Sequence, residues 1–252
     1  MFETYAQIFD QRAGAYHAAM RGWPRARDAE FQAVLEPLHD APDGLVCDMP
    51  SGGGYLAEHL ATGHEYLGVD PAQTFLDACS DPLRETLNAP IDCVPLADDS
   101  VDYVVSVAGL HHEADLAPIF AEMHRLVRHG GTLILADVAV DTSPARFLNG
   151  FVDRHNPSGH DGRFLDDRTR PALAAAGLTV VDDARIEVPW AFDSPADAGA
   201  FCRDLFGLAG VGAEAIGDVL DQQIGFAPRA GGVDLLWALR RIVCAVAKPA
   251  CR

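Results

Sequence analysis

One stretch constrains the fold of this chain more than any other. Residues 46–60 join an apolar segment, three consecutive glycines and a segment of helix-forming residues. The apolar segment ends in a carboxylate, Asp48, and its pattern predicts a short buried strand. Because glycine has no Cβ, Gly52, Gly53 and Gly54 allow a sharp turn and a close approach of a ligand to the backbone. A strand, a glycine turn and a helix in this order are typical of a nucleotide-type site in an open α/β sheet.

Two carboxylates narrow the choice of ligand. Asp48 ends the first predicted strand, and Asp70 ends the next one. The pattern Gly52-x-Gly54-x-x-Ala57 fits the dinucleotide fingerprint, although such a match alone has low specificity. Asp70 suits a ribose diol in either kind of ligand, whereas Asp48 would repel a pyrophosphate. Asp48 suits a ligand that carries an ammonium and a sulfonium, such as S-adenosylmethionine, and it disfavours an NAD-type oxidoreductase.

Further motifs follow the glycine turn in a fixed order. They are Val69-Asp70, Pro95-Leu96-Ala97-Asp98-Asp99-Ser100-Val101-Asp102, Leu110-His111-His112 and Glu122-x-x-Arg125-Leu126-Val127-x-x-Gly130-Gly131-Thr132-Leu133. With these motifs, residues 44–137 resemble the class I S-adenosylmethionine-dependent methyltransferases of the type 11 group, especially the subfamily that includes ubiquinone/menaquinone methyltransferases. One departure is Pro50, where the family usually has glycine. Proline fixes φ and removes an amide donor, so the first bend of the loop is expected to differ.

The resemblance implies an architecture and a cofactor site. The fold would be an α/β, Rossmann-like, seven-stranded sandwich with N-terminal helices and a small helical cap inserted between the last two strands. Residues 1–40 would form a helical lid, and residues 41–252 the S-adenosyl-L-methionine-binding domain, with cap segments at 141–167 and 189–232. Asp92 and Cys93 would meet the adenine. The cofactor-binding residues implied are Asp48, Pro50, Ser51, Gly52, Gly53, Gly54, Asp70, Pro71, Asp92, Cys93 and Val107. On the lid, Tyr16, Arg25 and Arg27 are candidates for the cofactor carboxylate, or they are ordinary helix residues.

The hydrophobic pattern predicts alternating strands and helices, as in a parallel sheet covered on both faces. Helices are expected near Tyr5, Ile8 and Phe9 and over residues 24–38. The predicted strands are 45–49, 66–70, 91–94, 103–107 and 132–137, and the helices between them are 55–61, 73–87 and 116–129, the last ended by Gly130. Residues 141–167 are expected to be a turn-rich loop, followed by a helix at 168–176, a strand at 178–188, helices within 194–224 and a strand at 233–246.

The composition of the chain limits which partners and which cellular compartment are expected. The chain has 19 basic and 37 acidic residues and a net charge of −18, which argues against nucleic acid and membrane surfaces, although solubility alone also explains such a charge. The six cysteines lack a paired spacing, which favours reduced thiols. No apolar run reaches the ~20 residues needed to span a bilayer. We expect a cytoplasmic protein with a small-molecule partner, and its oligomeric state stays open.

The catalytic chemistry is only partly predictable. Histidine titrates near neutrality, so His111, the neighbouring His112, and His155 and His160 are candidate bases, with His111 placed first; each is equally compatible with a packing role. His155 and His160 with nearby aspartates could form a metal cluster, but no helix fixes their spacing, and no metal site is expected. Ser51 lacks the sequence of a nucleophile elbow and falls in the cofactor turn.

The sequence therefore predicts S-adenosylmethionine-dependent methyl transfer to a small-molecule acceptor. The first alternative is a non-catalytic or non-methylating S-adenosylmethionine-binding protein, and an NAD-type oxidoreductase is the third hypothesis. The acceptor and its reacting atom, whether O, N, C or S, are left open by the sequence.

Overall fold

A computed structural model describes residues 5–78 and 85–248. Its strands form one large sheet and one small sheet. In chain order they are β1 Leu45–Asp48, β2 Glu65–Asp70, β3 Glu85–Asn88, β4 Val101–Val107, β5 Val127–Asp137, β6 Leu178–Glu187, β7 Trp190–Phe192, β8 Phe226–Arg229, β9 Gly232–Leu235 and β10 Ala238–Val246.

Helices cover both faces of the large sheet. The α-helices are α1 Tyr5–Gly22, α2 Asp28–Leu35, α3 Gln73–Ala78, α4 Ala117–Leu126, α5 Ser143–Arg146, α6 Asp153–His155, α7 Thr169–Ala175, α8 Pro195–Leu205 and α9 Ala213–Gln223. Three short 3₁₀ helices span Glu36–Leu38, Tyr55–His59 and Leu110–His112, and a π-helical segment spans Phe147–Val152.

The large sheet has seven strands in the order β3-β2-β1-β4-β5-β10-β6. The first five are parallel, whereas β10 is antiparallel to both β5 and β6. Strand order reverses between β1 and β4, so the connections after these strands diverge and leave a crevice at their carboxyl ends. The predicted α/β class and seven-stranded sheet are confirmed.

Burial on both faces explains why the central strands are apolar throughout. In β1, Val46 packs into the hydrophobic cluster on one side of the sheet, and Cys47 packs into the cluster on the other. Tyr103 and Val104 of β4 divide in the same way. Successive side chains of a strand point to opposite faces, so a strand covered on both faces needs apolar residues at every position.

The third strand lies elsewhere than predicted. Sequence analysis placed it at residues 91–94, but the strand is Glu85–Asn88, and residues 91–93 form a turn. As the outermost strand, β3 is mostly solvent-exposed, and its polar residues conceal it from an apolar pattern. The helix predicted over 73–87 is described only as α3, Gln73–Ala78; residues 79–84 lie outside the described part.

Two helix boundaries also differ. The segment after the glycine turn forms a single 3₁₀ stretch, Tyr55–His59, and no α-helix. Helix α4 ends at Leu126, and β5 begins at the next residue, so Gly130 is no helix cap. Gly130 has φ +79° and lies where the pairing of β5 with β4 changes register, a conformation that glycine adopts at little cost.

The cap is more ordered than expected. Instead of a turn-rich loop, residues 143–155 form a continuous helical stretch made of α5, the π-helical segment and α6. The insertion between β6 and β10 contains α8 and α9, as predicted, but also the three-stranded sheet β7-β9-β8. The predicted strand 233–246 is therefore two strands, β9 and β10, in different sheets. Strands of three or four residues, as in this small sheet, carry too little pattern to be distinguished from loops.

The close contact of α8 with α9 gives a stability prediction. A Cβ on Gly199 would overlap the carbonyl oxygen of Ala213, and one on Gly217 would lie 2.6 Å from the carbonyl oxygen of Pro195. We expect Gly199→Ala to lower the free energy of unfolding by about 1–3 kcal/mol, as overpacking does. Gly14→Ala, where nothing lies within 4 Å, should instead stabilise by up to about 1 kcal/mol. Urea denaturation of both variants measures the difference; equal stabilities would contradict this packing.

Candidate functional site

Asp48 stands at the carboxyl end of β1 and faces the crevice. The side chain is buried, and one carboxylate oxygen accepts a hydrogen bond of 3.0 Å from the hydroxyl of Tyr66. Burial, and secondarily the charge of Asp70, raises the pKa of Asp48 well above its usual value. A buried carboxylate that is costly to ionise favours a cationic ligand, because the cation offsets the desolvation.

The glycine turn is shaped by backbone conformation. Gly52, Gly53 and Gly54 all have positive φ, at +54°, +95° and +75°. Other residues rarely adopt such angles, which explains the run of three glycines. Pro50 precedes the turn with a cis peptide bond, and the amide of Ser51 is tied to the carbonyl oxygen of Val69 on β2 at 3.0 Å.

Asp70 joins the turn to the next strand. Its buried carboxylate accepts hydrogen bonds from the amides of Gly52 and Ala72, both at 2.8 Å, and from the hydroxyl of Tyr5 at 3.0 Å. Burial raises the pKa of Asp70 to about 6, and these hydrogen bonds oppose that rise. A carboxylate at the end of the second strand can also accept two hydroxyls of a ribose.

Helix α1 lies directly over the turn. Tyr5, near its start, reaches Asp70, and a Cβ on Gly53 would overlap the ring of His17. Tyr5, Phe9 and Tyr16 line the same cavity as Asp48. The N-terminal segment therefore covers the crevice, as the proposed position of the lid requires.

The remaining predicted cofactor residues divide between two cavities. Pro50, Ser51 and Val107 line the cavity of Asp48. Pro71 and Asp92 line a second cavity, with Asn88, Ala89, Pro90, Ile91 and Glu113. Cys93 is exposed and lines neither cavity as described, and Gly53 and Gly54 shape the loop without lining the first.

The arginines singled out on the lid behave differently from each other. Arg25 is exposed and pairs with Asp28. Arg27 is buried in the cavity wall, where it forms an ion pair with Glu30 and donates a 3.0 Å hydrogen bond to Tyr16. Because Glu30 already balances its charge, Arg27 is a less suitable partner for a second carboxylate.

A histidine–aspartate pair borders the cavity at the carboxyl ends of β4 and β5. His111 follows β4, and its Nδ1 lies 2.7 Å from a carboxylate oxygen of Asp137, the last residue of β5. The backbone amides of His111 and Val138 also donate to Asp137. With Nδ1 engaged by the carboxylate, Nε2 is the ring atom left to accept a hydrogen bond or a proton from a ligand.

Two further imidazoles join His111. His112 and His160 are buried, with ring centroids 4.2 Å and 5.6 Å from that of His111. Burial, with the positive charges of neighbouring groups, lowers the pKa of His112 well below its usual value and that of His160 to about 3. His160 Nδ1 is held by Asn149 at 2.9 Å. Both rings are therefore neutral at pH 7.

The cluster has the composition of a metal site. One nitrogen from each of His111, His112 and His160 lies within 4.8 Å of the others, and three histidines are a known zinc ligand set. His155, which sequence analysis considered with His160 as a possible metal ligand but did not expect to be one, packs against Phe151. The charge of Arg12 contributes to the low pKa of His112 and His160. A nearby guanidinium opposes a metal cation as it opposes protonation, so we interpret the cluster as imidazoles of which His112 and His160 are uncharged and can accept hydrogen bonds.

Aromatic side chains form the outer wall. Trp190 of β7 and Trp237 stack with centroids 4.4 Å apart, and Phe206 stacks on both. All three line the cavity. Such a wall suits a flat apolar molecule.

Sequence analysis missed three polar residues of this site, namely Arg12, Asp137 and Asn149. Asp137 could have been found, because it ends a predicted strand at the edge where Asp48 and Asp70 end theirs. Asn149 and Arg12 had no comparable signal, since only the folding of α1 and of residues 143–155 brings them to the cavity.

The order of the parallel strands reverses at β1, a glycine loop follows that strand, and a carboxylate follows the second strand. This arrangement is typical of Rossmann-like domains that bind nucleosides. Residues 47–135 match the family model described as a methyltransferase domain. Residues 47–135 therefore form a methyltransferase domain, and the predicted resemblance to S-adenosylmethionine-dependent methyltransferases is confirmed.

Similar proteins extend this assignment. The demethylmenaquinone methyltransferase of Lysinibacillus sphaericus is 26% identical over 150 residues, which cover 57% of this chain and 63% of that protein. The chain spans 52–63% of the length of the first curated relatives it matches.

Solved structures agree in fold over almost the whole chain. A Haloferax volcanii putative methyltransferase in complex with the Trm112 methyltransferase activator has a TM-score of 0.65 and 18% identity, covering 99% of this chain and 100% of that one. The [4+2]-cyclase SpnF has a TM-score of 0.65 and 14% identity, with 98% of both chains covered. Among residues 5–78 and 85–248, none of the helices has the length and apolar character needed to cross a membrane.

The raised pKa of Asp70 predicts how cofactor affinity depends on pH. A ribose diol donates to the ionised carboxylate, so S-adenosylhomocysteine should bind about tenfold more weakly at pH 5 than at pH 7.5, on either side of a pKa of about 6. Asp70→Asn should weaken binding about ten- to hundredfold at pH 7.5 and flatten the pH dependence. Calorimetric titration measures both. Asp218→Asn, which changes an exposed residue of α9, is the control. If Asp70→Asn binds S-adenosylhomocysteine as tightly as the wild type, the ribose does not bind at Asp70.

Proposed function

We propose that this protein transfers the methyl group of S-adenosylmethionine to a small molecule held between the cofactor crevice and the cap. One observation carries the proposal: the His111–Asp137 pair borders the same cavity as Asp48 and the glycine turn. A proton acceptor and a cofactor site that share one enclosed space are the arrangement that methyl transfer to a protonated acceptor needs.

The chain's residues fit the cofactor. Asp48 can offset the positive charge of the ligand, Asp70 can accept the ribose hydroxyls, and the positive-φ glycines let the ligand approach the backbone. The adenine end of the cofactor is proposed to bind near Pro71, Asp92 and Cys93. The first two of these residues line the second cavity. When bound, S-adenosylmethionine supplies a methyl group activated by its sulfonium.

The chain's own contribution is orientation, exclusion of water and a place for a proton. In this proposal the bound cofactor would supply the methyl group to the acceptor, and His111 Nε2 would take the proton that the acceptor gives up. Asp137 acts as a positioning residue, because it fixes the ring of His111 and stabilises the imidazolium. His112 and His160 are uncharged, so these two rings place no positive charge beside the sulfonium.

The lid and the cap complete the pocket in this proposal. Helix α1, within the segment 1–40, and the cap segments 141–167 and 189–232 all contribute to the cavity wall, through Tyr16, Leu148, His160, Trp190 and Phe206. Enclosure strengthens electrostatic interactions and prevents water from competing with the acceptor.

The free cysteines support the proposed cytoplasmic location, and the net charge supports a small-molecule acceptor. The cysteines described, Cys47, Cys93, Cys202 and Cys244, are all free, which supports a reducing compartment and a cytoplasmic protein. The net charge of −18 supports a small-molecule acceptor over nucleic acid or a membrane surface.

Ligand binding and transfer test the function directly. We expect calorimetry to show binding of S-adenosylmethionine and S-adenosylhomocysteine but not of NAD, and incubation with labelled cofactor and a panel of phenols, acids and amines to yield a methylated product. Binding of NAD without binding of S-adenosylmethionine would refute the proposal. Cofactor binding with no transfer to any acceptor would favour the non-methylating alternative.

The role of His111 gives a sharper prediction. His111→Gln should lower kcat about 10²–10⁴-fold, the usual contribution of a general base, with little change in cofactor affinity. Asp137→Asn should also lower kcat, because an asparagine amide can hold the His111 ring in the wrong tautomer, and His155→Gln, outside the cavity, is the control. EDTA should not change the rate. Loss of activity on chelation, restored by zinc, would show instead that the three histidines bind a metal.

A further inference from the structure

The guanidinium of Arg12 lines the cavity, and among the residues that the structure describes no carboxylate pairs with it. Its Nη2 donates a 2.9 Å hydrogen bond to the carbonyl oxygen of Leu205, at the end of α8. Its Nε is buried and has no hydrogen-bond partner in the part of the chain that the structure describes. Burial without a compensating negative charge lowers the pKa of Arg12 to about 10, so the side chain remains charged at neutral pH.

Other shielded arginines of the chain are balanced. Arg27 pairs with Glu30, Arg240 with Asp183, and Arg241 with Glu36 and Asp182. Acidic residues are also plentiful, at 37 against 19 basic ones. An uncompensated buried cation costs free energy. In a chain this acidic, a cation left without a carboxylate points to a site that takes its anion from a ligand.

A purely structural role explains only part of these contacts. The bond to Leu205 ties α1 to α8 and satisfies a carbonyl at a helix end, a position that favours a cation. It uses one of the five N–H groups of the guanidinium. Gly207 follows that helix end with φ +63°, and a Cβ there would lie 2.8 Å from Arg12 Nε. The chain thus leaves Nε a space that a larger residue would fill.

The position of Arg12 assigns it to the acceptor side of the cavity. Its charge acts on the imidazoles of His112 and His160, which border His111. Asp48, where the cofactor's ammonium is proposed to lie, responds instead to Tyr66 and Asp70.

The surroundings limit what the anion can be. The stacked indoles of Trp190 and Trp237 and the ring of Phe206 line the same space. A planar guanidinium matches a carboxylate in geometry. One unpaired cation balances one negative charge, which favours a carboxylate over a doubly charged phosphate.

We propose that Arg12 binds the carboxylate of the methyl acceptor and that the acceptor is an aromatic carboxylic acid. The inference rests on the proposed function in that it names the substrate class of the same cavity. The carboxylate is the anchor in this assignment, and the methyl group goes to another atom of the acceptor.

Direct binding tests the assignment without requiring turnover. The protein saturated with S-adenosylhomocysteine is titrated with aromatic acids of one and two rings and with the matching primary amides, for example 4-hydroxybenzoate and 4-hydroxybenzamide. We expect at least one acid to bind about ten- to hundredfold more tightly than its amide, as a charge-assisted contact does. Arg12→Met should erase that difference, and Arg12→Lys should retain part of it.

Two controls separate an anchor from a structural contact. The affinity for S-adenosylhomocysteine and the Tm of Arg12→Met should stay near those of the wild type, and Arg203→Met, which removes a half-exposed cation of α8 paired with Asp204, should keep the preference for acids. If no acid exceeds its amide, or if Arg12→Met keeps the preference, the proposal is wrong. Loss of S-adenosylhomocysteine binding in Arg12→Met would assign the guanidinium to the cofactor.

Where an acid is methylated, the product identifies the reacting atom. A methyl group that alkaline hydrolysis does not release supports the carboxylate as anchor, and a hydrolysable methyl ester would make it the acceptor atom and overturn this part of the assignment. Arg12-dependent binding of acids without any methyl transfer would uphold the site while contradicting the proposed methyl-transfer activity.

Discussion

The buried carboxylate of Asp70 is the interaction on which the cofactor crevice depends. It holds the amide of Gly52 in the glycine turn, the amide of Ala72 before α3 and the hydroxyl of Tyr5 on α1. A carboxylate without these donors would be costly at this depth. The loop, the second strand and the lid helix are therefore positioned by one charge. The positive φ angles of the glycines follow from this geometry, because the turn must bring its amide back to the strand end.

The two sides of the cavity differ in charge, which suits a reaction between a cationic cofactor and an anionic acceptor. Asp48 and Asp70 place negative charge at the strand ends, where a sulfonium ligand is proposed to bind. Neutral imidazoles and the guanidinium of Arg12 stand on the acceptor side. An anionic acceptor and a cationic cofactor would each meet a complementary wall, and binding would orient both before the reaction.

The sequence predicted the central sheet and the carboxylates at its edge because central strands and a glycine turn leave strong patterns. Val46 and Cys47 are apolar because both faces of β1 are covered, and Asp48 is polar because the strand ends there. Sequence analysis missed the edge strand β3. This strand has only one neighbouring strand, and its polar residues do not form an apolar pattern. Asp92 and Cys93 were consequently placed on a strand, whereas they lie in a turn beyond it.

The acceptor side could not be predicted in the same way. His160 and Asn149 meet His111 only because residues 143–155 fold into a helical stretch over the sheet. No local pattern encodes that contact, which is long-range and depends on packing. Asp137 is the intermediate case, since its place at a strand end was predictable and its partner was not.

Helix α1 connects the two halves of the site through its geometry. Tyr5 and Arg12 are seven residues apart, about two helical turns or ~10 Å along the axis, and both face the cavity. The hydroxyl of Tyr5 donates to the carboxylate of Asp70, which is also proposed to accept the ribose hydroxyls, so a bound ribose would compete with Tyr5 for one of its oxygens. A shift of α1 that releases Tyr5 would also move Arg12, because a helix moves as a rigid element. Such a shift would couple the affinities for cofactor and acceptor, and by linkage each ligand would alter the affinity for the other by the same factor.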